Sequence, residues 1–341
     1  MTDSPDTTPR PPTPAGAHRR WLVQVGVLVL VLGAGLSMVS RALFIEPVFD
    51  APDLRLGEPV RTLIIGASHG ACAFDPAAFT GPVFGETESV ARHGELVFFT
   101  RHKLRALLDA NPQVTMLIMA FAPIHLAEWQ DRELFDGTAA SRSHFMNYFM
   151  LVDEAGRAEL DAWSADYVLA SLKYGGGFPL GYMADAVLYL HHLRGTLTPD
   201  HYPFFGGYTG LDGSHLKPRL TQAILRKYFE RDGEVAGESE LALESLWGVL
   251  ELAKARGLRL VLVNTPVHAD FRAGVPESFR VHYDEVVERI RREFPFVLFL
   301  DQEALDLPDD QYLDADHLNR AGGQRFSIEM AGRIRRAYER R

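Results

Sequence analysis

Runs of branched apolar residues alternate with amphipathic helical patterns along most of the chain after residue 60. Near-continuous Val/Ile/Leu runs are typical of strands buried on both faces, and their alternation with helices favours parallel pairing. We therefore predict an α/β fold with a doubly wound parallel sheet. Its predicted strands are Arg61–Gly66, Val114–Ala120, Leu258–Asn264 and Phe296–Asp301, with a further short strand near Pro82–Gly85.

The helical patterns between these runs predict helices over Glu95–Ala110, Glu238–Arg256 and Glu277–Glu293. Gly257 follows the second and Pro295 comes shortly after the third, and both residue types favour the end of a helix. From about 127 to 215 the chain is instead rich in aromatic residues and glycine, with no convincing core strand. We interpret this segment as an insertion over the carboxyl edge of the sheet, since long insertions are usually lids or binding elements. A structural subdomain without a ligand is the alternative.

The amino-terminal region has its own organisation. Residues 1–20 contain five prolines and no aromatic side chain, a composition that predicts a disordered tail. Residues 21–39 carry no charge, and the apolar run at 21–45 is long enough to span a bilayer. Arginines precede it and acidic residues follow it, which places the tail in the cytoplasm. We predict a single-pass anchor in the inner (cytoplasmic) membrane, a linker at 46–59, and an α/β domain at 60–341 on the periplasmic or extracellular side. A cleaved signal peptide is the alternative.

Charge and cysteine content exclude several functions. The net charge of −10 argues against a nucleic-acid partner, which would require basic patches to neutralise phosphates. The single cysteine, Cys72, excludes a disulfide within the chain and any multi-cysteine metal site. The histidines lack the ligand spacing of a zinc site, so we expect neither a metal nor another cofactor.

The first predicted strand ends in the small-residue turn GASHG at 66–70. Small residues permit a tight turn that exposes a hydroxyl group, and ligands of open α/β sheets bind outside the carboxyl ends of the strands. Ser68 is therefore a candidate nucleophile. The alternative is that Ser68 only caps the following helix.

A second informative segment, DADHLN at 314–319, lies close to the carboxyl end. An acid three residues before a histidine can hold one imidazole nitrogen while the other faces the sheet edge. Asp314 and His317 thus form a candidate orienter and base, whereas we expect the adjacent Asp316 to point elsewhere. A helix amino-terminal cap in a solvated acidic turn is the alternative.

Together these motifs resemble the SGNH (GDSL-like) hydrolases, and more specifically their membrane-anchored branch of D-alanine transfer and alginate O-acetylation proteins. The resemblance covers most of 55–341 outside the middle of the insertion. It implies a three-layer α/β sandwich in which Ser68 is the nucleophile, His317 the general base and Asp314 its orienter. The matching features are the amino-terminal anchor, GASHG-x-x-x-FDP, HGELVFFTRHKLRALLDANP leading into LIMAFAP, and DADHLNRAGGQRF.

The same resemblance implies an oxyanion hole made by the serine N–H, a glycine after the second strand and an asparagine after the third. Gly94 takes the second place. No asparagine follows the third strand, where the chain reads FAPIH, so His125 or a residue of the insertion is expected to donate instead. Ala67 stands where the commonest form has aspartate, and His69 is expected to line the pocket or cap the turn.

From these features we expect a membrane-anchored serine esterase or O-acyltransferase that acts on an acyl ester of an envelope or extracellular polysaccharide. Its expected partners are an acylated polysaccharide or wall polymer, the membrane and, from the resemblance alone, a multi-spanning membrane acyltransferase. The alternative is a non-catalytic binding or assembly module of an envelope polymer-modification complex.

Overall fold

The computed structural model describes residues 54–135, 152, 156 and 206–340, together with helical backbone at 23–28, 31–32 and 35. The predicted tail and most of the predicted anchor, linker and insertion lie outside these residues. No helix among the described residues is long and apolar enough to cross a bilayer. The chain divides into two compact units, of which the second, Ala51–Tyr167 with Leu197–Arg341, contains all the features described below; the first comprises Met1–Asp50 and Val168–Thr196.

The second unit has a central sheet of five parallel strands in the order β2-β1-β3-β6-β7. The four predicted apolar strands are confirmed, each within two residues of the predicted bounds. A separate antiparallel pair is formed by the two-residue strands β4 and β5. The strands are β1 (Val60–Ile65), β2 (Glu86–Ser89), β3 (Met116–Ala120), β4 (Glu230–Arg231), β5 (Glu234–Val235), β6 (Arg259–Asn264) and β7 (Leu298–Asp301).

The prediction of a short strand near Pro82–Gly85 is wrong, because this segment forms a turn. The edge strand β2 begins directly after it, at Glu86. The N–H groups of Phe84 and Gly85 both donate to the carbonyl oxygen of Gly81, at 3.1 and 2.8 Å. Gly81 and Gly85 have positive φ values, of 93° and 67°, which suit a turn and not a strand.

The three predicted helices are confirmed, and α7 matches its predicted bounds at both ends. α2 begins two residues later than predicted because the N–H of Glu95 donates to the carbonyl oxygen of Arg92 in a turn. The side chain of Glu95 forms a buried ion pair with Lys103. The α-helices of the second unit whose bounds are described are α1 (Ser68–Ala73), α2 (Val97–Ala110), α3 (Trp129–Phe135), α4 (Pro218–Phe229), α5 (Glu240–Ala255), α6 (Ala269–Gly274), α7 (Glu277–Glu293) and α8 (Arg320–Glu339).

The strand order explains why helices cover both faces of the sheet. The chain passes from β1 outward to β2, then returns past β1 to β3 and continues to β6 and β7. Because crossovers between parallel strands are right-handed, this reversal puts the connecting helices on opposite faces. This is an α/β arrangement compatible with a doubly wound fold, and ligands of such sheets bind where the order reverses, here between β1 and β3.

The burial of residues along the strands also shows that both faces of the sheet are covered. Neighbouring residues of a strand point to opposite faces, yet Leu63 and Ile64 of β1 are both fully buried, as are Leu117 and Ile118 of β3. On one face, a cluster of buried side chains joins the sheet to α8; it includes Ile64, Ile118, Val261, Val263, Phe326 and Met330.

A half-buried acid, Asp131, joins α3 to α5 and predicts a pH dependence of stability. The hydroxyl of Ser239, the N-cap of α5, donates to Oδ1 of Asp131 at 2.6 Å. Burial raises the pKa of Asp131 to about 6, and the nearby carboxylates of Glu128 and Glu240 add to this. Because an unfolded aspartate has a pKa of about 3.9, the folded state binds this proton more tightly. Its contribution to stability is complete below about pH 4 and is lost as the pH rises through about 6.

Asp131→Asn should therefore gain stability relative to the parent as the pH rises from about 4 to 7, because the asparagine does not ionise. Melting temperatures of parent and variant at both pH values measure this difference. Asp232→Asn, at an exposed site, is the matched control. An equal difference between Asp131→Asn and the parent at both pH values would contradict the prediction.

Candidate active site

The turn after β1 makes Ser68 the first residue of α1. Gly66 has a φ of +105°, a conformation that side chains disfavour. A Cβ atom on Gly70 would lie 3.1 Å from the carbonyl oxygen of Ile65, so a side chain there would crowd the strand end. The two glycines of the motif thus let the chain turn tightly. They place the serine hydroxyl at the carboxyl end of the sheet.

Ser68, His317 and Asp314 lie together at this end of the sheet. Nε2 of His317 is 2.7 Å from Oγ of Ser68, and Nδ1 is 2.9 Å from Oδ1 of Asp314. Asp314 also accepts the backbone N–H of His317 at 2.9 Å, which fixes the acid relative to the ring. With Nδ1–H donating to the carboxylate, Nε2 is left to accept the serine proton, as a general base must.

Asp316 does not point away from the site, so that prediction is wrong. Its Oδ1 lies 3.3 Å from Nδ1 of His317, and only 1% of the residue is exposed. Its Oδ2 accepts the hydroxyl of Tyr228 at 3.1 Å and lies 3.7 Å from Nε2 of His69. The physical reason is the tight turn in which Asp314 accepts the N–H groups of both Asp316 and His317, which directs the Asp316 side chain inward.

The charges of the three residues depend on one another. Burial lowers the pKa of His317, but the Asp316 and Asp314 carboxylates outweigh burial and raise it well above its usual value. Burial acts to raise the pKa of Asp314, yet the hydrogen bond and charge of His317 bring it well below its usual range. Burial raises the pKa of Asp316. The site therefore stabilises a proton on His317.

A cavity of about 170 Å³ opens beside Ser68. Of the predicted site residues, Ser68, His69, Gly94, His125 and His317 border it. The sequence did not single out the other lining residues for the site, although Trp129 and Glu133 fall within the predicted insertion. The remaining members of the lining are Ala67, His93, Ile124, Trp129, Glu133, Lys227 and Tyr228.

Gly94 reaches the cavity on a loop that continues from β2. The N–H groups of Val90 and Arg92 donate to the carbonyl oxygens of Ile64 and Gly66, at 2.8 and 2.9 Å. These bonds extend the pairing with β1 beyond the strand end and hold the loop next to the turn that carries the serine. Gly94 has a φ of +70°, and among the described residues its N–H has no hydrogen-bond acceptor.

His125 presents a hydrogen-bond donor to the cavity. The backbone N–H of Ala122 donates to Nδ1 of His125 at 2.9 Å. Nδ1 is also 3.2 Å from the Ala122 carbonyl oxygen, but a backbone N–H can only donate, so Nδ1 is the acceptor. The ring proton therefore resides on Nε2, which is buried and has no partner among the described residues. Burial lowers the pKa of His125 to about 4, so the ring is neutral at pH 7.

His69 and His93 complete a cluster of imidazole rings around His317. The centroid of the His69 ring lies 4.8 Å from that of His317 and 5.6 Å from that of His125. Burial, followed by the charge of His317, lowers the pKa of His69 well below its usual value and that of His93 to about 4. Both rings are therefore neutral at pH 7.

Two alternative chemistries are less well supported at this site. Cys72 is buried, and burial raises the pKa of its thiol to about 11, which disfavours a thiolate nucleophile. Donor atoms of His69, Asp316 and His317 lie within 4.8 Å of one another, as metal ligands can. Here His317 bonds to Asp314 and Asp316 accepts the hydroxyl of Tyr228, so two of these three residues already have partners within the protein.

Both ends of the predicted insertion lie at the site. Trp129 and Glu133 border the cavity near its beginning. Near its end, the N–H groups of Gly207 and Thr209 donate to carbonyl oxygens of Ala91 and of Ala71 in α1, at 2.8 and 2.7 Å. The segment between them lies mostly outside the described residues, so its role as a lid stays a prediction.

Comparison with known proteins adds no family assignment. No protein-family model matches the chain, and a search of curated proteins finds no match. A functional proposal therefore depends on the geometry of the site and on the sequence motifs.

Proposed function

We propose that this chain is a serine esterase or O-acyltransferase of the SGNH type, with the three-layer sandwich of that superfamily. The observation that carries the proposal is the 2.7 Å contact between Oγ of Ser68 and Nε2 of His317, at the edge of a cavity. The 2.9 Å contact between His317 and Asp314 supplies the third member of the catalytic set.

In the proposed reaction, Oγ of Ser68 attacks the carbonyl carbon of an acyl ester while Nε2 of His317 takes the serine proton. The carbonyl oxygen becomes an oxyanion. When the carbon–oxygen double bond re-forms, the alcohol leaves with the proton from His317, and the acyl group remains on Ser68. Water or a sugar hydroxyl then attacks the acyl-enzyme, again giving its proton to His317, and Ser68 is released with that proton.

Three hydrogen-bond donors support stabilisation of the oxyanion. They are the N–H of Ser68 at the first position of α1, the N–H of Gly94, and Nε2–H of His125. All three residues border the cavity, and none of these groups has an acceptor among the described residues. His125 takes the place of the asparagine that the family pattern has, and a neutral imidazole can donate to a developing negative charge.

The proposal also includes a substrate, a location and a partner. The proposed polysaccharide or wall-polymer substrate and the proposed location of the domain, on the periplasmic or extracellular side of the membrane, rest on the sequence. The multi-spanning acyltransferase partner rests on the family resemblance alone. The cavity offers polar groups for a hydroxylated acceptor in Lys227 and Glu133, which form an ion pair at 3.3 Å. Protease protection of the domain in intact spheroplasts would overturn the proposed location.

The test is covalent trapping by a fluorophosphonate, which reacts with activated serines. We expect one label per chain, and peptide mass spectrometry should locate it on Ser68. Ser214→Ala, which removes an exposed serine, should label like the parent. Absence of labelling in folded protein, or a label on another serine, would contradict the proposal.

The fate of the acyl group separates hydrolysis from transfer. With p-nitrophenyl acetate and a hexose oligosaccharide, a transferase gives acetylated oligosaccharide, whereas an esterase gives acetate alone. The missing asparagine favours the alternative of a non-catalytic binding module. That module would bind the oligosaccharide but release no nitrophenolate above the rate of buffer.

A further inference from the structure

Asp316 is a second carboxylate at the imidazole of His317, beside the predicted Asp314. We propose that Asp316 is a further positioning residue of the catalytic site, held in place by Tyr228, and that it stabilises the charge that forms on His317. This inference rests on the proposed function. It adds to the site a residue that the sequence pattern does not single out.

The geometry at His317 gives the first argument. Nδ1 lies 2.9 Å from Oδ1 of Asp314 and 3.3 Å from Oδ1 of Asp316, so its proton faces two carboxylates. The Asp316 side chain is fully buried, whereas that of Asp314 is 27% exposed. A charge that is shielded from water interacts more strongly with a neighbouring charge. Asp316 is therefore well placed to act on the imidazolium.

The partners of Asp316 give the second argument. Its Oδ2 accepts the hydroxyl of Tyr228, whereas its buried Oδ1 faces the imidazole, and the carboxylate of Asp314 lies close enough to interact with it. A buried carboxylate oxygen without a partner is costly unless a positive charge faces it. In the form of the enzyme that can act as a base, His317 is neutral, and that charge appears when it takes the proton of Ser68. The interaction thus strengthens as the transition state forms, which is the condition for an effect on rate.

Tyr228 fixes the orientation of this carboxylate from the cavity wall. Its ring packs against that of Trp129, with centroids 5.1 Å apart, and its hydroxyl lies 3.1 Å from Oδ2 of Asp316. With one oxygen held by the tyrosine, the other is directed at His317. α4 thereby contributes to the catalytic site through a residue that also lines the cavity.

No other charged group compensates Asp316 among the described groups around His317. Ser68 and His69 face it from α1, and His93 faces it from the loop after β2. Burial lowers the pKa of both His69 and His93, so these rings are neutral at pH 7. The imidazolium therefore balances its charge against Asp314 and Asp316.

The test compares Asp316→Asn with the parent in the full-length chain. Asparagine keeps the shape and the acceptor for Tyr228 but removes the charge. We expect kcat for p-nitrophenyl acetate to fall about 10-fold, and the acidic limb of kcat/KM to move to lower pH by about one unit, because a nearby opposite charge raises a pKa by 1–3 units. Asp310→Asn, an exposed acid on the same connection, should change neither value.

A direct titration keeps this test independent of turnover. NMR spectra are recorded over a range of pH with protein that is isotope-labelled only at histidine. The resonance of His317 is identified by its loss in His317→Gln. The midpoint of its pH titration should be lower in Asp316→Asn than in the parent. An unchanged midpoint in folded Asp316→Asn would overturn the inference even if the enzyme is active. A shifted midpoint in a protein without esterase activity would instead contradict the proposed function alone.

If Asp316→Asn does not fold, Tyr228→Phe replaces it. Phenylalanine keeps the ring against Trp129 but removes the hydroxyl that holds Asp316. We expect the His317 midpoint to move and kcat to fall by a few-fold. A parent-like midpoint and kcat would overturn the role of the Tyr228–Asp316 pair. A lower melting temperature without either change would assign the pair a structural role only.

Discussion

Replacing Ser68 or His317 with alanine is expected to lower kcat for p-nitrophenyl acetate by about 10⁴-fold or more, with little change in KM. In the proposed mechanism Ser68 provides the attacking oxygen, and His317, whose Nε2 lies 2.7 Å from Oγ of Ser68, takes its proton. Because neither works without the other, the double variant should lose no more activity than either single variant. Initial rates of nitrophenolate release measure all three.

Matched controls separate loss of chemistry from loss of fold. Ser214→Ala changes an exposed serine outside the cavity and should keep the parent kcat. His215→Ala does the same for an exposed histidine. Multiplicative losses in the double variant would argue that Ser68 and His317 act separately. Parent-like turnover in either single variant would exclude the proposed mechanism.

His125→Ala is expected to lower kcat by about 10²-fold to 10³-fold, the effect of removing one donor from an oxyanion hole. Nε2–H of His125 is buried at the cavity and has no acceptor among the described residues, so it can serve the oxyanion without breaking another bond. His125→Asn should recover part of the loss, because its amide also donates. The loss should appear in kcat, measured at saturating ester.

Two outcomes would contradict the proposed role of His125 as a donor, and each points to a different explanation. If His125→Ala keeps the parent kcat, the third donor does not come from this loop, and the insertion becomes the place to search. If Ala and Asn variants lose activity equally and also melt early, the bond from the Ala122 N–H explains the residue's role. Melting temperatures measured beside the rates distinguish these cases.

Four of the five strands of the central sheet could be predicted because their sequences are apolar at successive positions. Such a run places apolar side chains on both faces of the sheet, as is typical of a sheet that helices cover on both sides. β2 could not, because its sequence ETES is polar and its pairing depends on the Gly81–Gly85 turn before it. In the site, the pairing of Ser68 with His317 follows from where parallel strands end. The inward direction of Asp316 does not, since it depends on hydrogen bonds that Asp314 makes within a single turn.

The contact of Tyr228 with Asp316 could not be predicted from the sequence for a different reason. It lies in α4, an amphipathic helix with no motif, and nothing in its neighbours indicates a contact with a carboxylate 88 residues away. The same holds for Lys227 and Glu133, which only the folded chain brings to the cavity. Residues that act through a distant partner carry no local pattern, whereas a nucleophile in a tight turn does.

The separation of Ser68 and His317 by 249 residues has a consequence for how activity arises. A fragment that ends before residue 314 contains the proposed nucleophile but neither the proposed base, His317, nor Asp314, which orients it. The carboxyl-terminal strand β7 and helix α8 must join the sheet before the two can meet. If the proposed mechanism is right, the chain therefore gains esterase activity only after the segment that carries Asp314 and His317 has folded onto the sheet.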